Sequence, residues 1–523
     1  MAINSSAAGS PGAADDSGSA YGRRQTATNW NKRFVILIGL VTLFRLVYLV
    51  VSPLSLAADE AYYWDWSRRL AWGYFSKPPM VAWIIGAFTR AFGSTTAAVR
   101  LPSVVLGTIS SLAVFLLARR MYDARTAFWA AAVGMASPGA AALGYIMTID
   151  APLMCFWALG LYFFWAGVEK KEGGFGAWAG LAVVIGLGLL SKQVMGGFIV
   201  LMFVFVAVSK EDRRLLKSPR LYLVCLLGLA ALLPDVLWNV GHGWITLHHT
   251  ETHFAGSRSA FFLTFADFIG GQIALISPIT WLLFVTVAGI SLARFKSLDK
   301  RSLYLLTFSL VPLSGIAALS LRQKIQPNWP AAVYTAGIVL LAAWGCGKFS
   351  GGSRLDAWRP YFKKGIIVGA VMALCTYGLP FWAAAVPGRL ASKVADRVEG
   401  WKHFGRQAGR ALGDVPSPQR TFLLTFDRKL AAELAFYVPG HPRVYVWRAP
   451  GAPPTSQYDL WEGPKAGLDA LIICPASDAG ADTGAVSGYF GGGVKPLAGF
   501  VGGDGHRRYS LYLGSSLKKW PAK

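Results

Sequence analysis

The sequence predicts an α-helical polytopic membrane protein of about eleven transmembrane helices with a small C-terminal α/β domain. Three observations carry this. Of 523 residues, 54% are hydrophobic and only 15% charged, against roughly 25% charged in ordinary soluble domains, and the mean hydropathy is +0.43. Apolar runs near the roughly 20 residues that cross a bilayer recur up to residue 386. The runs are continuous rather than alternating, which excludes a strand barrel.

The first 30 residues are rich in Ala, Ser and Gly and lack an apolar h-region. They predict a disordered cytoplasmic tail over 1–33 and no cleavable signal. Spans are then expected at 34–52, 101–119, 126–147, 150–168, 176–191, 193–209, 220–238, 268–292, 302–320, 330–347 and 365–386, giving a membrane domain over 34–386. The long first outer loop, 53–100, carries Tyr62, Tyr63, Trp64, Trp66, Leu70, Trp72, Tyr74 and Phe75 around Arg68 and Arg69. That mixture predicts helices lying in the headgroup region.

Lys and Arg fix the orientation. The N-terminal tail and the loops near 120, 170, 215, 297 and 356 hold 23 of them, and the alternate loops hold nine. The richer set is cytoplasmic by the positive-inside rule. The net charge of +24 therefore belongs to membrane topology, and no basic stripe on a soluble face points to nucleic acid.

The eleventh span leaves 388–523 outside. There the composition changes to short β-prone runs at 421–426, 444–447, 470–474 and 508–513, with a short helix at 430–437. Strand, helix and strand in succession predict a small periplasmic α/β domain. It shows no nucleotide-binding glycine fingerprint and no cluster of catalytic residues, so an accessory role is expected. Cys155, Cys225, Cys346 and Cys375 fall in spans and Cys474 in the tail, with no CxxC pair or disulfide framework.

With this orientation three carboxylates meet the outer face. Asp59 and Glu60 stand where the first span ends, and Asp150 begins the fourth. A charge beside a bilayer is costly unless paired or hydrated, so three acids on one face suit acid/base chemistry on a lipid-borne substrate. His242, His248, His249 and His253 share one outer loop with Glu251, which leaves room for a divalent metal at His248, His249 and His253. Loop histidines are more often simply polar. Arg45, inside the first span, is expected to snorkel outward.

The segments Asp59-Glu60-Ala61-Tyr62-Tyr63-Trp64, Ser76-Lys77-Pro78-Pro79-Met80 and Val99-Arg100-Leu101-Pro102-Ser103 resemble a known family. So do Leu190-Ser191-Lys192, Pro234-Asp235-Val236-Leu237-Trp238-Asn239, Pro327-Asn328-Trp329-Pro330 and the tail's Ser456-Gln457-Tyr458-Asp459-Leu460-Trp461. The resemblance is to the protein O-mannosyltransferase-like branch of the membrane-embedded C-type glycosyltransferases, nearest the bacterial enzymes that decorate lipid A, lipopolysaccharide core or other envelope glycolipids.

The resemblance implies an integral inner-membrane glycosyltransferase. It would move a sugar from a polyprenyl-phosphate carrier to an envelope acceptor at the periplasmic face, with no required cofactor. It implies Asp59 as base, Asp150 as a further catalytic residue and Lys77 against the carrier phosphate; Glu60, also placed in the catalytic set, could orient the acceptor, support Asp59 or help hold a cation. Arg258 is a second phosphate candidate because a guanidinium binds phosphate oxygens bidentately. Protein O-mannosylation, a lipid-linked sugar transporter or flippase, and an O-antigen ligase or polymerase are the competing readings. A transporter would show inverted repeats and acids deep within spans. Asp235 and Asp267 lie near outer ends instead.

Overall fold

The computed structural model describes residues 29–169, 174–254, 261–349, 351–382, 400–501 and 508–521. Each of the eleven apolar runs falls on helix, but not as eleven full-length spans. Among the described residues five helices are long and apolar enough to cross a bilayer: Trp30–Val51, Thr96–Met121, Asp150–Val168, Lys300–Ser320 and Arg359–Phe381. Two bent pairs raise the number to seven if each pair is one span. Met80–Phe92, Phe175–Ser191, Gln193–Val208 and Ala331–Gly345 are shorter apolar helices.

The breaks have local causes. Lys192 takes an extended conformation that separates Phe175–Ser191 from the next helix. Ser137 and Pro138 divide the 126–147 run, with the Ser137 side chain accepting from the Ala140 amide at the new N-terminus. Pro234 sits in the first turn of Leu233–Gly241, which bends 42° from Pro219–Ala230. The sharpest turn is at Ser277 and Pro278, where φ of Ser277 is +96° and two helices meet at 108°. Of the predicted N-terminal tail, 1–28 lies outside the described residues; helix begins at Trp30.

Arg45 does not snorkel. It is buried, its Nε donating to Tyr377 Oη at 3.1 Å and its Nη2 to Ala140 O at 2.9 Å. Gly144 makes room for it, since a Cβ there would lie 2.6 Å from the Arg45 Cζ.

The tail is a five-stranded mixed sheet of order β2-β1-β3-β5-β4. The strands are β1 (Thr421–Thr425), β2 (Val444–Val446), β3 (Asp469–Pro475), β4 (Val494–Val501) and β5 (Arg508–Gly514). The first three run parallel, and β5 is antiparallel to both β3 and β4. Helix Arg428–Tyr437 makes the crossover from β1 to β2, the connection a parallel pair requires.

That crossover helix positions the site. The first outer-loop helix, Ala58–Ser67, does not lie in the headgroups as its composition suggested. Tyr62, Tyr63, Trp64 and Trp66 are all buried, and the helix packs against Arg428–Tyr437. One apolar cluster joins Leu56, Tyr62, Trp64 and Trp66 to Phe404, Leu430, Leu434 and Phe436 of the tail. A short helix with aromatics on every side has no wettable face, so it is buried between two domains.

Candidate active site

Asp59 and Glu60 are adjacent, and a helix turns about 100° per residue, so they face different surroundings. Glu60 faces inward and is fully buried. Arg100 grips it bidentately, Nε to Oε1 at 2.9 Å and Nη2 to Oε2 at 2.7 Å. The Ala57 amide donates to Oε2 at 2.9 Å and the Met147 amide to Oε1 at 3.0 Å. Arg100 also donates to the carbonyls of Leu54 and Ser55 and to Tyr145 Oη. Glu60 thus has no side open to a substrate. It leaves the catalytic set and becomes the strut that fixes the end of the first span, the loop helix and helix Thr96–Met121 together.

Asp59 faces outward, about half exposed, at the N-terminal turn of its helix. Arg428, the first residue of the tail's crossover helix, places Nη1 3.0 Å from Asp59 Oδ1 and lies over the Tyr62 ring at 4.7 Å. The second Asp59 oxygen has no partner among the described residues.

Asp150 opens helix Asp150–Val168 and is nearly buried. Lys192 Nζ sits 2.7 Å from its Oδ1, and Asn328 Nδ2 donates to Oδ2 at 2.7 Å. Each carboxylate oxygen thus accepts from one of these two partners. Asp150 holds Lys192 and Asn328 at the mouth of the site.

Lys77 lies in the loop just before Pro78-Pro79, and no hydrogen bond or ion pair engages its ammonium among the described residues. Burial pushes its pKa down. Lys192 and Arg428 push the same way, while Asp150 and Asp59 oppose them. All four therefore lie within electrostatic reach of Lys77. Tyr63 lies among them: burial raises its phenol well above the ordinary range, and Asp59 and Asp150 add to this. The Lys77 loop is tied from several directions. Gln457 Oε1 accepts from the Phe75 amide at 2.7 Å, and Thr246 Oγ1 donates to Tyr74 O at 2.9 Å. Gly73 allows this approach, as a Cβ there would lie 2.6 Å from Trp238.

Arg258 lies outside the described residues, as does the side chain of His253. His248 is exposed, 3.4 Å from Glu251, and His249 packs against the Phe75 ring at 4.9 Å. No group of three His, Cys, Asp or Glu side chains able to hold a metal occurs among the described residues. Arg428, Tyr63 and Gln457 were absent from the expected site, and Lys192 and Asn328 had been quoted only as parts of motifs. The acids at 59 and 150 each called for a compensating cation, which is the signal that leads to Lys192. Nothing local marks Arg428.

Residues 76–238 match the family model for dolichyl-phosphate-mannose-protein mannosyltransferase. The lipid A galacturonosyltransferase RgtD of Rhizobium johnstonii is 29% identical over 440 residues, covering 80% of this chain and 85% of that one. The undecaprenyl phosphate-alpha-4-amino-4-deoxy-L-arabinose arabinosyl transferase of Erwinia tasmaniensis is 27% identical over 340 residues, 58% of each chain. Among solved structures, ArnT from Cupriavidus metallidurans superposes with a TM-score of 0.61 at 16% identity, over 94% of this chain and 98% of that one. Along nearly its whole length the chain shares the fold of that membrane glycosyltransferase, and over residues 76–238 its sequence is similar to the dolichyl-phosphate-mannose-protein mannosyltransferase family.

Proposed function

We propose that the protein transfers a sugar from a polyprenyl-phosphate carrier to a lipid A or lipopolysaccharide acceptor at the periplasmic face of the inner membrane. The observation that carries this is Lys77, a half-buried cation without an anion of its own, set among Asp59, Asp150, Lys192 and Arg428. A phosphodiester supplies the missing negative charge. The similar chains support the same chemistry, being named for lipid A galacturonosyl transfer and for transfer from an undecaprenyl-phosphate sugar. The Lys and Arg asymmetry between alternate loops supports the outward placement.

Asp59 accepts the proton of the acceptor hydroxyl through its uncommitted oxygen. The acceptor oxygen bonds to the anomeric carbon as the bond from that carbon to the carrier phosphate breaks. The electron pair leaves with the polyprenyl phosphate, whose added negative charge Lys77 stabilises. Arg428 orients Asp59, and Asp150 orients Lys192. No step needs a metal, because the phosphate is already an activated leaving group; turnover is expected to survive EDTA.

Purified enzyme is expected to transfer sugar from a polyprenyl-phosphate donor to lipid A and to ignore nucleotide sugars. Mass spectrometry of lipid A and core from a deletion strain should show the loss of one sugar mass. Transfer from nucleotide sugars alone would refute the reading.

A further inference from the structure

A second charged cluster lies farther along the Ala58–Ser67 helix, outside the site above. Asp65 is six residues beyond Asp59, about 9 Å at 1.5 Å per residue. It is fully buried, with the Tyr458 hydroxyl beside it, and among the described residues neither carboxylate oxygen receives a hydrogen bond of good geometry. Three guanidiniums gather around it. Arg68 Nη1 lies 3.3 Å from Asp65 Oδ1, Arg69 is the next residue, and Arg443 lies two residues beyond His441, whose carbonyl accepts from Arg68.

Two of the three are held rigid by aromatics. Arg68 lies over Trp64 at 4.9 Å and donates to His441 O at 2.8 Å across the domain seam. Arg69 lies over Trp461 of the tail at 3.9 Å, and its guanidinium makes no hydrogen bond among the described residues. Arg443 is exposed. Three cations thus share one acid, and the donors of a stacked, pre-oriented Arg69 remain open. Stacked guanidiniums with open donors are receptors for planar or tetrahedral oxyanions.

Immediately after the arginines the surface turns apolar. Leu70 and Trp72 are 49% and 57% exposed, and Trp83 braces Trp72 edge-on at 5.3 Å. A cationic rim beside an exposed Leu and Trp matches an amphiphile lying at a membrane surface, not a soluble polypeptide.

We propose that Arg68, Arg69 and Arg443 form an anion subsite for the headgroup of the acceptor glycolipid, with Leu70 and Trp72 against its acyl portion. This rests on the glycosyl-transfer reading, and it assigns the tail domain a share in acceptor selection through Arg443 and Trp461. The anion is a phosphate or a sugar carboxylate on the acceptor.

The test uses Arg69→Gln and Arg443→Gln, which remove no interdomain hydrogen bond, in the full chain carrying Asp59→Asn so that binding is read without turnover. The probes are bis-phosphorylated lipid A, its dephosphorylated form, and dephosphorylated lipid A bearing a uronic acid. Each substitution is expected to weaken binding of one or both anionic probes about tenfold, the loss of a charge-assisted contact, and to leave the uncharged probe unaffected. Which anionic probe responds identifies the anion. Equal weakening with the uncharged probe overturns the proposal. So does full competition by phosphatidylglycerol vesicles, which would make the cluster a membrane-surface contact. If the enzyme without Asp59→Asn transfers no sugar while charge-dependent binding persists, the glycosyl-transfer reading fails and the anion subsite stands.

Discussion

Arg428 Nη1 rests 3.0 Å from Asp59 Oδ1, joining residues 369 positions apart in sequence. Its guanidinium carbon lies 4.7 Å from the ring centroid of Tyr62, a neighbour of Asp59 one turn along the same helix. The tail domain expected to be accessory therefore contributes a side chain to the acid at the centre of the site.

Removing that side chain should slow the reaction without unfolding the protein. Arg428→Ala is expected to lower kcat by about 10- to 100-fold, on the order of one charge-assisted hydrogen bond in a partly enclosed site, with little change in melting temperature. Arg428→Lys keeps the charge but loses the guanidinium over Tyr62 and should recover only part of the rate. Unchanged kcat in Arg428→Ala would show that Asp59 needs no partner.

The two adjacent acids should separate cleanly. Asp59→Asn is expected to reduce turnover by about 100- to 10,000-fold while folding and donor binding persist, since Asn is nearly isosteric. Glu60→Gln leaves the Arg100 charge buried without its counterion, a change that typically costs about 3–5 kcal/mol. It should therefore show as lost thermal stability and yield. A stable, folded Glu60→Gln protein with a selective loss of kcat would return Glu60 to the chemistry.

Lys77→Ala should raise the donor KM more than it lowers kcat. Burial and the nearby Lys192 hold the Lys77 pKa below its ordinary 10.5. Donor capture needs the protonated ammonium, so affinity should fall on the alkaline side beginning below that value. Donor KM measured against pH in the wild type and in Lys77→Arg, whose guanidinium stays charged, tests this. The rise should be absent in the arginine variant.

Glu433, buried on the crossover helix, has a pKa pushed well above 4.5 by burial and then by Glu60, with Arg100 opposing. A carboxyl raised in the folded state favours folding most at low pH, and that contribution is lost as pH rises through the folded pKa. Glu433→Gln is expected to leave stability below pH 4.5 nearly unchanged and to flatten its decline as pH rises above that value. Thermal unfolding of both proteins across pH checks it, and parallel curves would refute it.

Much of this arrangement was legible in the sequence because its signals are local. Four of the five tail strands were visible as β-prone runs. The fifth, Val494–Val501, was hidden by Pro496 and Gly499. Both are tolerated because the strand is at the sheet edge and carries a bulge between Leu497 and Phe500. Asp59, Asp150 and Lys77 were visible as charges beside apolar runs. Glu60 was misread because adjacency in sequence was taken for adjacency in space. The aromatic loop helix was misread because a bilayer surface and a domain interface select the same residues. Arg428 is one of 51 Lys and Arg residues, and only the three-dimensional fold singles it out.

The contact between Asp59 and Arg428 also imposes a parity. Two touching residues lie on one side of the membrane, so the chain between them crosses an even number of times. Eleven runs with the first preceding Asp59 leave ten crossings, and the seven long or bent spans leave six; both are even. If the pair meeting at 108° around Ser277 turned back to the face it entered, one crossing would vanish, and a second run would have to turn back with it. The side of the membrane on which the tail lies then follows from that of Asp59, however the short helices are counted.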